Sequence, residues 1–248
     1  MRRLLVLAIA VALCPLAAQA GDTIGYSYVE AGYQGRDSTN ETGVAIHGSI
    51  ELGQSWFLFG MYSRHSEGYG SGEFFGTDTP DARYYDNESD YKRIGLGYHH
   101  ALNPRLDFVA RTMYDRSAHE LRYQNGALSY SYDYRYDFSQ TEAGLHGFVT
   151  ARWEAWAFAG YSATVDSGID NIRVVDERGL NCPFDYSCGE LEPDHLRDLF
   201  NSRVDDDPRP YGRLGTQFRL TDTWGLTVTG RFAPGGIVSY FAGVRASF

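Results

Sequence analysis

The sequence has little sulfur: three cysteines and three methionines in 248 residues. Cys14 sits in an N-terminal apolar stretch, which leaves Cys182 and Cys188 for the body of the chain. A C-x5-C pair with no His-Cys set beside it does not fit the usual zinc pattern. In an exported chain it predicts a short-loop disulfide. After residue 20 there is no run of the ~18 apolar residues that a membrane helix needs. A basic surface is missing too: 22 Lys+Arg stand against 32 Asp+Glu, a net charge of −10. That balance argues against nucleic acid as a partner.

What the chain has instead is 19 Tyr, 14 Phe and 28 Gly. Tyr and Phe suit strands and membrane-interface girdles, and Gly suits crowded barrel interiors. Arg2 and Arg3, the apolar run Leu4 to Leu13, and Ala18-Gln19-Ala20 before Gly21 read as a secretory signal peptide over residues 1–20. The remaining chain, 21–248, is expected to be one domain.

Its last stretch alternates with period two. Phe248, Ala246, Val244, Ala242, Tyr240 and Val238 share one face; Ser247, Arg245, Gly243, Phe241 and Ser239 share the other. A greasy terminal strand is an aggregation hazard at an open sheet edge and a closing strand in a barrel. Similar alternation recurs at 24–34, 44–52, 56–64, 91–102, 106–125, 128–149, 156–165, 211–220 and 224–232. Counting the terminal strand, these segments predict an all-β, antiparallel up-and-down transmembrane barrel of ten strands, with eight as the alternative. Short turns at 53–55, 103–104, 152–155 and 221–223 alternate with longer polar loops, the longest about 166–210. Apolar residues switch parity between Phe138 and Ala143, which predicts a bulge near Ser139 to Thr141. Trp56, Trp156 and Trp224 each follow a tight turn, as an aromatic belt at one membrane interface requires.

In these strands the chain resembles the small outer-membrane β-barrel superfamily, the group of OmpA-like and OmpX-like barrels. Tyr26-Ser27-Tyr28-Val29-Glu30-Ala31-Gly32-Tyr33 is similar to the start of small xanthomonad outer-membrane proteins once assigned as a quorum or immunity signal. Gly95-Leu96-Gly97-Tyr98 and the terminal Phe248 fit the same group. The resemblance implies a barrel in the bacterial outer membrane, among lipid and lipopolysaccharide. It also implies contact with the barrel-assembly machinery through Tyr240, Val244 and Phe248 of the closing strand. It transfers no activity.

The inward parity collects Glu30, His47, Glu51, Arg93, Asp107, Arg111, Glu142, His146, Arg213, Arg219, Arg231 and Arg245. Charges in a narrow lumen must pair, because an isolated buried ion costs several kcal/mol or more. They predict a salt-bridged polar core, or else the lining of a thin pore. Enzymatic readings rest on shorter matches. His47-Gly48-Ser49 is similar to the His-x-Ser pair of a lipid A deacylase, and Asp194-His195 to a protease Asp/His pair with Asp205-Asp206-Asp207 in the same loop. A short helix from Pro193 and a Ca²⁺-binding role for the acidic run are further readings of that loop. A solvated acidic face is preferred to a calcium site. The expectation is a non-enzymatic barrel without cofactor or metal, acting as a structural or surface-interaction protein with an unknown extracellular ligand. A narrow channel is the first alternative, and a lipid A-modifying enzyme or protease the second.

Overall fold

The computed structural model describes residues 24–35, 42–67, 82–125, 128–176, 209–234 and 236–248. The signal-peptide stretch, Cys182 and Cys188, the helix expected from Pro193, Asp194-His195 and Asp205 to Asp207 lie outside them. Ten strands run in chain order: β1 (Tyr28–Gly35), β2 (Thr42–Glu51), β3 (Trp56–Glu67), β4 (Ala82–Asn103), β5 (Leu106–Asn125), β6 (Leu128–Thr150), β7 (Trp153–Asp176), β8 (Arg209–Arg219), β9 (Trp224–Ala233) and β10 (Gly236–Ser247). Each pairs antiparallel with its sequence neighbours, and β1 pairs with β10. The sheet therefore closes and leaves no edge within the band that all ten strands share.

Alternation supplies the membrane surface. Val44, Ile94, Leu145, Leu214, Val228 and Val244 point outward and stay 44–66% exposed in the isolated chain. An apolar exterior on a closed sheet is what lipid requires, because every backbone group is then bonded to a neighbouring strand. The chain is a ten-stranded β-barrel of the bacterial outer membrane. Its short turns mark the periplasmic end. Gly53, at φ 99°, makes the β2–β3 turn in the left-handed region that glycine enters freely.

Several boundaries move from the sequence reading. β1 begins at Tyr28, and residues 24–27 fold into the periplasmic mouth instead of extending the strand. β4 begins at Ala82, so part of the expected 65–90 loop is strand. The β6–β7 turn is Ala151-Arg152, so β7 starts at Trp153 and continues past Val165 to Asp176. Residues 166–176 and 209–210 of the expected long loop are therefore strand.

Moving that turn also moves a tryptophan. Trp156 is 9% exposed and points into the lumen, while Trp153, at 47%, stands on the outer face beside Phe218. The interface belt thus contains Trp56, Trp153 and Trp224, all more than 40% exposed, and not Trp156. Inside, Trp156 lies across Gly215 and Phe57 across Gly97; a Cβ at either glycine would overlap the ring. Phe57 and Phe59 are the lumen side of β3, whose parity was ambiguous, and Leu58 faces out.

The four central strands are long. β4 to β7 have 22, 20, 23 and 24 residues, against 8 to 12 for the other six. The excess of roughly ten residues carries this sheet about 30 Å past the shared band, at ~3.3 Å per residue. The bulge expected near Ser139 to Thr141 does not break β6 against β5, although a register shift against β7 falls beside it. The β5–β6 register runs unbroken from Asn125↔Leu128 to Leu106↔Gly147, and the nearest shift falls between Asp137 and Phe138 against β7. The change of apolar parity marks a change of surroundings, not of backbone.

Candidate functional site

The lumen holds the chemistry. At its periplasmic mouth Ile24 and Tyr26 pack with Phe57, Phe59, Val109, Met113, Trp156 and Phe158 as one buried cluster. The Tyr26 ring stacks on Phe57 at 4.7 Å and on His99 at 4.2 Å, and its hydroxyl donates to Asp107 at 2.9 Å. Its backbone N–H donates to Glu51 at 2.8 Å, which places Glu51 at the exposed rim of the mouth and not inside the lumen as expected. Tyr26 therefore stands as a stopper across the lumen.

Above the stopper the charged residues fall into clusters. Glu30 takes the Arg245 guanidinium at 2.8 Å and lies 2.6 Å from His47 Nδ1. Glu142 sits between Arg111 and Arg213, the latter at 3.5 Å, and accepts the Tyr211 hydroxyl at 2.8 Å. Arg93 forks onto Asp115 at 2.6 and 2.9 Å. Lower down, Glu154 joins Arg219 at 2.5 Å and His146 at 3.1 Å. His99 lies 3.3 Å from Asp107. Multiple hydrogen bonds to each carboxylate are what make such burial tolerable. Arg231 stands apart: its guanidinium lies 4.1 Å over the Tyr211 ring, and among the described residues no carboxylate is within ion-pair reach.

The sequence pattern missed Asp115, Glu154, Tyr26, Tyr211 and Gln140. Asp115 was findable, since it continues the inward parity of Asp107 and Arg111. Glu154 was hidden by placing the turn over it. His47 and Ser49 both face the lumen, with His47 committed to Glu30. Farther out, Ser117 Oγ and His119 Nε2 lie 2.7 Å apart, both buried, with the imidazole flat on Tyr134 at 4.6 Å. Among the described residues no three His, Cys, Asp or Glu side chains form a metal cluster. Tyr240 and Val244 face outward, 44% exposed, and Phe248 donates its N–H to the Ser27 carbonyl at 3.1 Å.

A cavity of about 130 Å³ remains among these clusters. It runs from Tyr28 and Trp156, above the stopper, toward Gln34 and Ser239 near the loop end.

No protein-family profile matches the chain, and no curated protein sequence does either. Among solved structures it is similar to the outer membrane protease OmpT of Escherichia coli, with a TM-score of 0.53 and 11% identity over 90% of this chain and 94% of that one. It also aligns with the KdgM porin, at a TM-score of 0.41 and 9% identity over 89% and 99% of the two chains. Ail, the attachment invasion locus protein of Yersinia pestis, aligns at 0.34 and 16% over 58% and 91%. These are outer-membrane barrels of different roles. Likeness at such identity shows the fold alone.

Proposed function

We propose that the chain is a non-enzymatic outer-membrane barrel, closed at its periplasmic mouth, that works as a surface-interaction protein through the sheet and loops it raises outside the cell. The observation that carries this reading is the Tyr26 stopper, joined to a lumen narrowed by mostly paired side chains. A closed lumen leaves the projecting β4–β7 sheet as the largest surface offered to a partner. Surface loops and extensions on a rigid scaffold are where recognition concentrates. The similarity of the first strand to the xanthomonad proteins agrees with a small surface barrel and adds no activity.

The runner-up is a narrow channel, favoured by the arginine-lined cavity. Planar-bilayer recording separates the two. The wild-type barrel is expected to be silent, and deletion of residues 21–26 is expected to open discrete steps. Steady steps from wild type, shifted when Arg213 or Arg231 is neutralised, would establish the channel instead. Altered lipid A or cleaved peptide in cells expressing wild type, lost in His47→Ala or His195→Ala, would establish the enzyme.

A further inference from the structure

The acidic chain keeps a cationic chamber. Arg93, Arg111, Arg213, Arg231 and Arg245 line the cavity from β4, β5, β8, β9 and β10. Among the described residues the carboxylates that meet them are Asp115, Glu142 and Glu30. Five guanidinium groups thus face three carboxylates, an excess of two positive charges in a space walled by the barrel. Arg213 and Arg231 are direct cross-strand partners, a like-charge pairing that destabilises a sheet unless something neutralises it. The buried Nε of Arg231 has no hydrogen-bond partner, and that of Arg213 has only its 3.5 Å ion-pair contact with Glu142, outside hydrogen-bond geometry. A buried charged donor left without a hydrogen bond is costly, and here one such donor and one poorly met donor border the same cavity.

We propose that Arg213 and Arg231, assisted by Arg111, form a binding site for one small oxyanion carrying two negative charges, of the inorganic phosphate or sulfate class. Charge and size select that ligand together. Two negative charges neutralise the excess, and a cavity of about 130 Å³ admits a tetrahedral oxyanion but not a bulky one. Oxygen acceptors on several sides suit guanidinium forks that converge from separate strands. The Tyr26 stopper closes the periplasmic side, so the ion enters from the loop end past Gln34 and Ser239. The continuous wall of β8 and β9 keeps the arginines from lipid headgroups, which identifies the ligand as a free ion. This site is independent of the surface reading: it exists whether or not the outer sheet binds a partner.

Equilibrium dialysis of radiolabelled inorganic phosphate against the folded barrel in uncharged detergent, at ionic strength fixed with sodium chloride, tests the site. One phosphate per barrel is expected, displaced by sulfate and not by further chloride. Arg231→Gln removes no carboxylate's partner and should keep the heat-modifiable mobility of a folded barrel while weakening phosphate about ten-fold or more. Arg231→Lys should fall between, and Arg116→Gln, outside the lumen, should bind as wild type. Absence of saturable binding, equal displacement by chloride, or an Arg231→Gln protein that binds like wild type would overturn the site. Displacement by lipid A micelles would assign the phosphate to a headgroup and overturn the free-ion site as well.

Discussion

The two halves of β6 show the same backbone under opposite instructions. From Gln140 to Thr150 the lumen side carries Gln140, Glu142 and His146, while Ala143, Leu145 and Val149 face out. From Asp133 to Phe138 the polarity inverts: Tyr134, Tyr136 and Phe138 lie on the lumen side, opposite His119, Ser117 and Asp115, and Asp133, Arg135 and Asp137 face out. The neighbours switch at the same height. Lys92, Arg116, Asp137 and Asp166 stand side by side across β4 to β7 through direct pairing, a charged collar just past the apolar band. Below the collar the barrel has lipid outside and ions within; above it, water outside and aromatic rings within. A strand reports its solvent more directly than its fold.

The largest test of that contrast compares two carboxylates that each face two arginines. Glu142, 1% exposed in the lumen, lies between Arg111 and Arg213. Asp137, on the outer face of the collar, is itself only 2% exposed and accepts from Arg116 at 2.8 and 3.0 Å with Arg135 at 3.6 Å. The side chains over it, Arg116 at 47% and Arg135 at 29% exposed, reach water. Glu142→Gln leaves two buried guanidinium groups without their counter-charge and is expected to cost about 3–5 kcal/mol in urea unfolding. Asp137→Asn leaves two arginines that water still solvates, and its smaller effect should fade with salt. Equal losses at the two sites would mean that the collar is as dry as the lumen.

A second comparison reads the outer face alone. Leu145→Arg puts a charge in mid-band on the lipid side and should cost roughly 2–4 kcal/mol. Asp133→Arg, of the same parity above the collar, should stay within about 0.5 kcal/mol, as ordinary surface changes do. A large penalty at Asp133 would extend the membrane past the collar.

Period-two alternation carried the ten strands and their inward parity from sequence, because lipid outside and ions inside impose opposite chemistries on adjacent residues. The same logic misled at positions where it changes hands. Ala143 against Phe138 reads as a bulge only if apolar always means outward, which fails once the strand leaves lipid. Trp156 reads as belt only if the turn is placed at 152–155; a tryptophan beyond a turn looks the same in sequence whether it faces lipid or Gly215. The lumen arginines were legible one by one, since nothing else explains Arg213 and Arg231 on the inward parity. Their partners were not, because Glu142 meets Arg213 across 71 positions of chain and Tyr26 meets Asp107 across 81. Alternation encodes a residue's side of the wall and nothing of its opposite number.

The finest test is acid. Asp137's carboxyl is held below the ordinary carboxylate range, first by the hydrogen bonds from Arg116, which outweigh its burial. In an opened hairpin it returns to the ordinary value of about 3.9. A carboxylate with a depressed folded value stabilises the folded form above the unfolded value. That contribution fades as pH falls through the unfolded value toward the folded one. Acidification from pH 6 to pH 3 should therefore loosen the outer β5–β6 hairpin, read as faster hydrogen exchange at Ser117 and Tyr136 after correction for intrinsic rates. The amides of Ala110 and Ala143, in the band, should keep their protection. Asp137→Asn should remove the collar's share of this pH dependence. If that variant and wild type lose protection in parallel, the collar pair is an ornament of the surface, and the hairpin stands on the ring stacking behind it.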